Sequence, residues 1–494
     1  MAANEFEHDP GDAPLPISSA QPCGSARADT RLGRIRLTLC AVLLVLPVVS
    51  AAEEQAPAAQ RALGRELLQE LIGIDTTPDH GSTTVAAEML AKRFLAAGFD
   101  PADVHVLGDH PRKRNLVIRL RGRGEREPVL LLAHLDVVEA KRADWNVDPY
   151  TLAEKEGYFY GRGTSDIKGG AAGLVATLLR LHAEEFVPRG DYVLALTAGE
   201  EDGGDNGVQW LLAHRPELVK AQYAINVDGG GPEIRNGKPA LLSVETAEKI
   251  YVSYTLTARN PGGHSSLPVA DNAIYRLAQG LTKLSEFQFP LRTNSATRGY
   301  YAGLARLYTG GIADDMRAAS QEAQDPAALS RLAATSTYNN AQLRTTCVPT
   351  LLTGGHAENA LPQTAQATVN CRVLPDEDLA GVDAALKQAI ADPGIALTRV
   401  AAPFAGPPSP VNAELFARIG EATKGLWGEI PVSPYMSAGA TDSVFLRAAG
   451  MPVYVFNGIA YDVDDDRAHG QDERILVRSY YQSLQFNYRL LKAL

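Results

Sequence analysis

The sequence predicts an α/β fold: a mainly parallel sheet with helices on both faces, carrying an inserted ferredoxin-like βαββαβ unit. Three observations lead there. Helical and strand patterns alternate from 52 to 245, the order becomes βαββαβ from 246 to 404, and the alternation resumes from 405 to 494. Of 494 residues, 45% are hydrophobic, ample material for a core.

In the first stretch, "RALGRELLQELIGI" and "TTVAAEMLAKRFLAAGF" repeat apolar residues at helical spacing. "NLVIRLRG", "PVLLLAHLDVV", "DYVLALTAG" and "YAINVDGG" read as strands, several apolar enough to be buried on both faces. "GGAAGLVATLLRLHAEE" is a helix between two of them. The inserted unit runs through strand "KIYVSYTLTA", helix "NAIYRLAQGLTKLS" and strands "CVPTLLTGG" and "QATVNCRVLP", then helix "LAGVDAALKQAIA" and strand "IALTRVAAP". A polar helical stretch, about 290–340, interrupts it. After "PFAGPPSPV" come helix "AELFARIGEATKGL", strand "PVYVF" and a terminal helix. This is one catalytic domain, 52–245 and 405–494, split by a smaller domain.

The N-terminus reads as a secretory signal peptide over 1–51: "RLGRIR", the apolar "LTLCAVLLVLPVVS" and a small-residue site at Val49-Ser50-Ala51. The apolar run is short for a bilayer span, so no stable membrane anchor is expected after cleavage. The expected location is secreted or periplasmic. A formal charge of −11 argues against a nucleic-acid partner. Cys347 and Cys371 remain in the mature chain. If their two strands pair antiparallel around residue 359, the cysteines fall opposite one another and can form a disulfide in an exported protein.

His134 and Asp136 in "LLLAHLDVV" are two apart on an extended segment, so both leave the sheet on one side. A core histidine bonded to its neighbour would look the same. "GRGTSDIKGG" lacks the Gly-Lys-Ser/Thr of a phosphate loop; it places Asp166 in a glycine-flanked turn, where a helix-capping role is the plain alternative. Glu200 and Glu201 end one predicted strand, Asp228 ends the next, and His469 lies in "DDRAHGQDERI". His134, Asp166, Glu201, Asp228 and His469 thus come from separate loops, mostly at strand C-termini, where open α/β sheets build their sites. Two imidazoles and three carboxylates suit zinc, with cobalt or manganese as alternatives. Two metals sharing one bridging carboxylate would use all five.

These motifs, with "GEEDGG", "VDGGG", "GGHSS", "NALP", "CRVLP", "GATDS" and "AHGQDE", resemble the co-catalytic dizinc amidohydrolases and metallopeptidases. That family includes acetylornithine deacetylase, succinyl-diaminopimelate desuccinylase, aminoacylase and glutamate carboxypeptidase. The resemblance implies two Zn2+ per chain bridged by Asp166, with His134 and Asp228 on one and Glu201 and His469 on the other. It implies that Asp136 orients His134, that Glu200 is the general base, and that His264 polarises the scissile carbonyl with Asn359. It further implies that Arg372 receives a substrate carboxylate and that Thr441 lines the pocket. His264 would arrive by closure of the inserted lid or from a homodimer partner held through it. The chain departs from the family in having Gly199 where many members have Asp, and Asp228 where others have Glu.

The expected activity is hydrolysis of an amide or peptide bond beside a free carboxylate. A dipeptidase or carboxypeptidase comes first, because an exported enzyme meets peptides, and an N-acyl-amino-acid deacylase second. A non-catalytic binding protein would be marked by a missing base or ligand, and none is missing. A dinuclear phosphoesterase is disfavoured by the absence of a phosphate cradle.

Overall fold

The structure, a computed structural model, describes residues 55–494. The expected signal peptide lies outside the described residues.

Four strands form the centre of a ten-stranded sheet in the order Tyr192–Thr197, Val129–His134, Tyr223–Asn226 and Val453–Val455, all parallel to their neighbours. Every residue of Val129–His134 is buried. Its side chains alternate between two cores: Leu131 and Ala133 face the helices Ala58–Ile72, Lys168–Ala183 and Val477–Ala493. Leu130 and Leu132 face Gly207–His214 and Ser443–Ala448. Burial on both faces is why these strands read as continuous apolar runs.

The flanks are different. Val104–Leu107 and Asn115–Leu120 add antiparallel on one side. On the other, Lys238–Glu248 pairs antiparallel with Gly231–Arg235 and parallel with Val432–Ser437. The sheet is therefore mixed, with a parallel centre. The strands on this second flank carried no sequence signal: Lys238–Glu248 has eight consecutive buried residues, and Pro434 interrupts Val432–Ser437.

A second, antiparallel sheet has the order Thr346–Gly354, Thr364–Val373, Ile250–Arg259, Ile395–Arg399. Helices Ala273–Glu286 and Leu379–Ile390 share its core, into which alternate residues of Thr364–Val373 point. Cys347 pairs with Cys371 in register, and a disulfide joins them.

The interrupting stretch comprises helices Ser295–Leu304, Gly311–Ala319, Pro326–Thr335 and Thr337–Leu343. It is less polar than expected, burying Tyr300, Tyr301, Leu304, Met316, Leu329 and Leu332 around Leu241 of the central sheet. Gly303 lets this packing close: a Cβ there would sit 2.1 Å from the Ser433 hydroxyl.

Candidate metal centre

Five expected ligands converge from one strand end and four loops. His134 ends its strand, and its Nε2 lies 3.0 Å from Asp166 Oδ1 and 3.7 Å from Asp228 Oδ1. His469 Nε2 lies 3.0 Å from both Asp166 Oδ2 and Glu201 Oε2. Asp166 thus presents one oxygen to each imidazole. Two groups result, His134–Asp166–Asp228 and Asp166–Glu201–His469, each with ligand atoms within 4.8 Å of one another.

The electrostatics reflect this crowding. Burial opposes a charge on His134, but Asp228 and Asp166 outweigh it and raise its pKa well above the usual imidazole range. Burial also opposes the Asp166 carboxylate, yet hydrogen bonds from His134 and His469 hold it below the carboxylate range. Hydrogen bonds to Asp166 and Glu201 push His469 up to about 10. Glu201 Oε1 is buried without a hydrogen-bond partner. An orphaned carboxylate oxygen beside a carboxylate shared by two imidazoles fits a pair of divalent cations.

Glu200 belongs to neither group. Burial and the nearby Asp228 push its carboxyl up to about 10. The loop turns at Gly199, where φ is 73° and a Cβ would meet the Gly204 carbonyl oxygen at 2.5 Å. An aspartate, common in the family at that position, would not fit this turn.

Asp136 meets His134 through its main chain rather than its carboxylate. Its main-chain oxygen, 2.9 Å from His134 Nδ1, orients the ring, while its carboxylate stands 3.9 Å away. That carboxylate instead accepts the Glu201 N–H at 3.0 Å. His264 and Asn359 come together, but on an exposed two-stranded ribbon. Ser265 N donates to the Asn359 oxygen, and His264 Nδ1 bonds the Ser266 hydroxyl at 2.7 Å. Among the described residues neither bonds the carboxylate cluster. Arg372 lies over the Tyr251 ring at 4.7 Å, and Thr441 donates its N–H to Glu248 at 2.8 Å.

A model of peptidase family M20/M25/M40 matches residues 130–493, which takes in all five candidate ligands, the second sheet and the first sheet except its strands Val104–Leu107 and Asn115–Leu120. The chain belongs to that family. It is a hydrolase of peptidase or amidohydrolase type. It is 29% identical over 378 residues to the N-fatty-acyl-amino acid synthase/hydrolase PM20D1 of Homo sapiens, covering 74% of each protein. It is 28% identical over 318 residues to a probable succinyl-diaminopimelate desuccinylase of Staphylococcus aureus, covering 63% of this chain and 69% of that one. Among solved structures, the M20 metallo-carboxypeptidase Sso-CP2 of Sulfolobus solfataricus superposes with a TM-score of 0.66 at 18% identity, over 87% of this chain and 98% of that one. Human carnosine dipeptidase 1 superposes at 0.59 with 16% identity, over 88% and 96%.

Three residues of the quoted motifs, Glu473, Arg162 and Asp442, have supporting roles that only the fold shows. Glu473 is fully buried; its Oε1 accepts the Ser165 and Asp166 N–H groups at 2.6 and 3.0 Å, its Oε2 the Gly163 N–H at 2.9 Å. Arg162 pairs with it at 2.8 Å and donates to the Gly470 carbonyl, beside His469. His469 itself is in the left-handed region, φ 61°. Asp442, buried and pushed up to about 7 by burial, accepts from Thr197 and Asn206 at either end of the Glu200 loop. The motifs place these residues beside the ligands in sequence without showing what they brace.

Asp166 and Asp228 also line a cavity of about 1060 Å³. It runs to Leu304, Ile312 and Met316 of the helical stretch, passing Tyr300 and Tyr435. A β-bulge between Tyr435 and Met436 lies on the strand that supplies this wall.

Proposed function

We propose that this chain hydrolyses N-acyl amino acids, with the acyl group in the cavity beside Asp166 and Asp228. The observation that carries this reading is the cavity itself. Its volume is at the upper end of the usual range of about 300–1,000 Å³ for small-molecule sites, and its far wall is largely apolar and aromatic. That is more room than one side chain of a dipeptide fills. The similarity to proteins named N-fatty-acyl-amino acid synthase/hydrolase supports the same reading. A carboxypeptidase is the second reading, favoured by 27% identity to a probable carboxypeptidase S-like protein of Dictyostelium discoideum.

In the mechanism we propose, His134, Asp166 and Asp228 hold one cation and Asp166, Glu201 and His469 the other; zinc suits this donor set. Bound there, the cations supply Lewis-acid polarisation and a nucleophilic hydroxide near neutral pH. With Asp228 offset by a cation, Glu200 would be ionised, and would accept the proton from the attacking water and deliver it to the leaving nitrogen. Asp136 keeps Glu201 in place through its N–H, and its own main-chain oxygen fixes the His134 tautomer. His264 and Arg372 are assigned to the carbonyl oxygen and the substrate carboxylate, reached by closure or by a partner copy. We also propose an exported enzyme, a location with which the Cys347–Cys371 disulfide agrees.

The test is a panel of dipeptides and N-acyl amino acids on one preparation with its metal content measured. Faster turnover of N-acyl substrates is expected. Turnover of dipeptides alone would overturn the reading.

A further inference from the structure

Resting on the N-acyl reading above and deepening it, we propose that Glu233 makes the cavity select uncharged acyl groups by neutralising Arg235 in its wall. Both residues belong to Gly231–Arg235 and both line the cavity. An arginine facing a cavity ordinarily receives a carboxylate through its planar fork. Here the fork is taken. Arg235 Nε and Nη2 donate to Glu233 Oε2 at 3.0 and 2.6 Å, and Nη1 donates to the Tyr308 hydroxyl at 3.1 Å. Tyr300 accepts from Nη2 at 3.2 Å and donates to Glu233 Oε1 at 3.3 Å. Glu233 is almost fully buried, with 3% of its side chain exposed, against 21% for Arg235.

The pair carries no net charge, and both carboxylate oxygens are engaged. An acyl group ending in a carboxylate would bring a third, uncompensated charge against Glu233, and the other two arginines of the lining, Arg467 and Arg474, are already paired with Asp465. An uncharged chain meets no such penalty and gains contact with Leu304, Ile312 and Met316. The substrate class is therefore an amino acid bearing a neutral, chiefly hydrocarbon acyl group, and dicarboxylic acyl groups are rejected. The two tyrosines that complete the network come from the interrupting helical stretch. That stretch therefore takes part in setting the preference.

The test compares N-octanoyl-phenylalanine with N-suberoyl-phenylalanine, equal in chain length and differing in the terminal carboxylate. With the metal-loaded full chain, kcat/KM is expected to favour the octanoyl compound by about 10-fold or more. Glu233→Gln releases the Arg235 fork and is expected to narrow that ratio by about 10-fold. The double variant Glu233→Leu/Arg235→Met removes both charges and is expected to keep the preference, so the proposal stays falsifiable if the single variant does not fold. Equal cleavage of the two compounds by the wild type, or an unchanged ratio in a folded Glu233→Gln, overturns the role of Glu233 and leaves the N-acyl reading standing. Cleavage of dipeptides but of neither acyl compound overturns both.

Discussion

Glu473 holds Asp166 by its backbone, accepting the Asp166 N–H at 3.0 Å while its other oxygen binds Arg162 at 2.8 Å. One buried carboxylate thus joins the turn carrying the shared ligand to the loop carrying His469, whose neighbour Gly470 is held by the same arginine. Glu473→Gln is expected to weaken metal binding by about 10–100-fold, the usual effect of losing a group that orients ligands. Leaving Arg162 buried without its anion is expected to lower stability by about 3–5 kcal/mol. Chelator competition and thermal melting measure the two effects. Unchanged metal affinity would show that Asp166 is set by its own turn.

Glu200 and Glu201 are neighbours with different surroundings. Glu201 lies 3.0 Å from His469, whereas Glu200 is in neither ligand group. Glu200→Ala is expected to lose at least about 100-fold in kcat while two metals per chain remain bound, separating proton transfer from ligation. Normal rates in that variant would remove Glu200 from the mechanism.

Three candidate ligands and the proposed base were legible because they end strong apolar runs: His134 after "LLLA", Glu200 and Glu201 after "YVLALTAG", Asp228 after "YAINV"; Asp166 and His469 were carried by the motifs "GRGTSDIKGG" and "AHGQDE". Strand C-termini in an α/β sheet converge, so residue type and position together indicated the site. The rest was hidden for physical reasons. Glu473 and Asp442 act through backbone and side-chain hydrogen bonds across more than 200 residues of sequence, which no local pattern records. The interrupting helices read as polar in isolation because their apolar residues are covered by Lys238–Glu248 and Val432–Ser437, strands without a strand pattern of their own. The cavity they form with those strands was hidden for the same reason.

Lys249 offers a pH-dependent test away from the metal centre. Burial lowers its pKa to about 7, and its Nζ donates to the Arg344 carbonyl at 2.7 Å. Between that value and the ordinary lysine value of 10.5, the unfolded chain binds a proton that the native chain does not. This group's contribution to stability therefore rises with pH across that window; below it the native state bears the full cost of a buried ammonium. Lys249→Met is expected to melt highest relative to wild type near pH 7 and to lose ground steadily toward pH ~10. A difference in melting temperature independent of pH would contradict the burial argument.

The Cys347–Cys371 bridge closes a loop with a sequence separation of 24 in the second sheet. Loop-closure entropy for that length predicts about 3 kcal/mol of stabilisation. Cys347→Ser/Cys371→Ser is expected to lower stability by roughly that amount, read by denaturant titration, with metal content unchanged because neither cysteine is near a ligand. Identical melting of oxidised and reduced wild type would show that the pairing contributes nothing to the fold.

Strand Thr346–Gly354 is the outer strand of the second sheet, and Val348, Leu351 and Leu352 on it are 55%, 66% and 68% exposed. Tyr275 on Ala273–Glu286, a helix packed against the same sheet, is 62% exposed. An open edge bearing this much apolar surface invites pairing with another strand, and native proteins normally protect such edges with charge or cover. A second copy of the chain, meeting edge to edge, would provide the cover. If the edge pairs in this way, the wild type sediments as a dimer and Leu351→Lys/Leu352→Lys as a monomer with unchanged metal content per chain; a monomeric wild type would overturn the pairing. The same variant tests the delivery proposed for His264, a residue exposed and bonded within its own ribbon. Monomers that retain full turnover would assign its delivery to closure within one chain, and monomers that bind metal but turn over poorly would assign it to the partner copy.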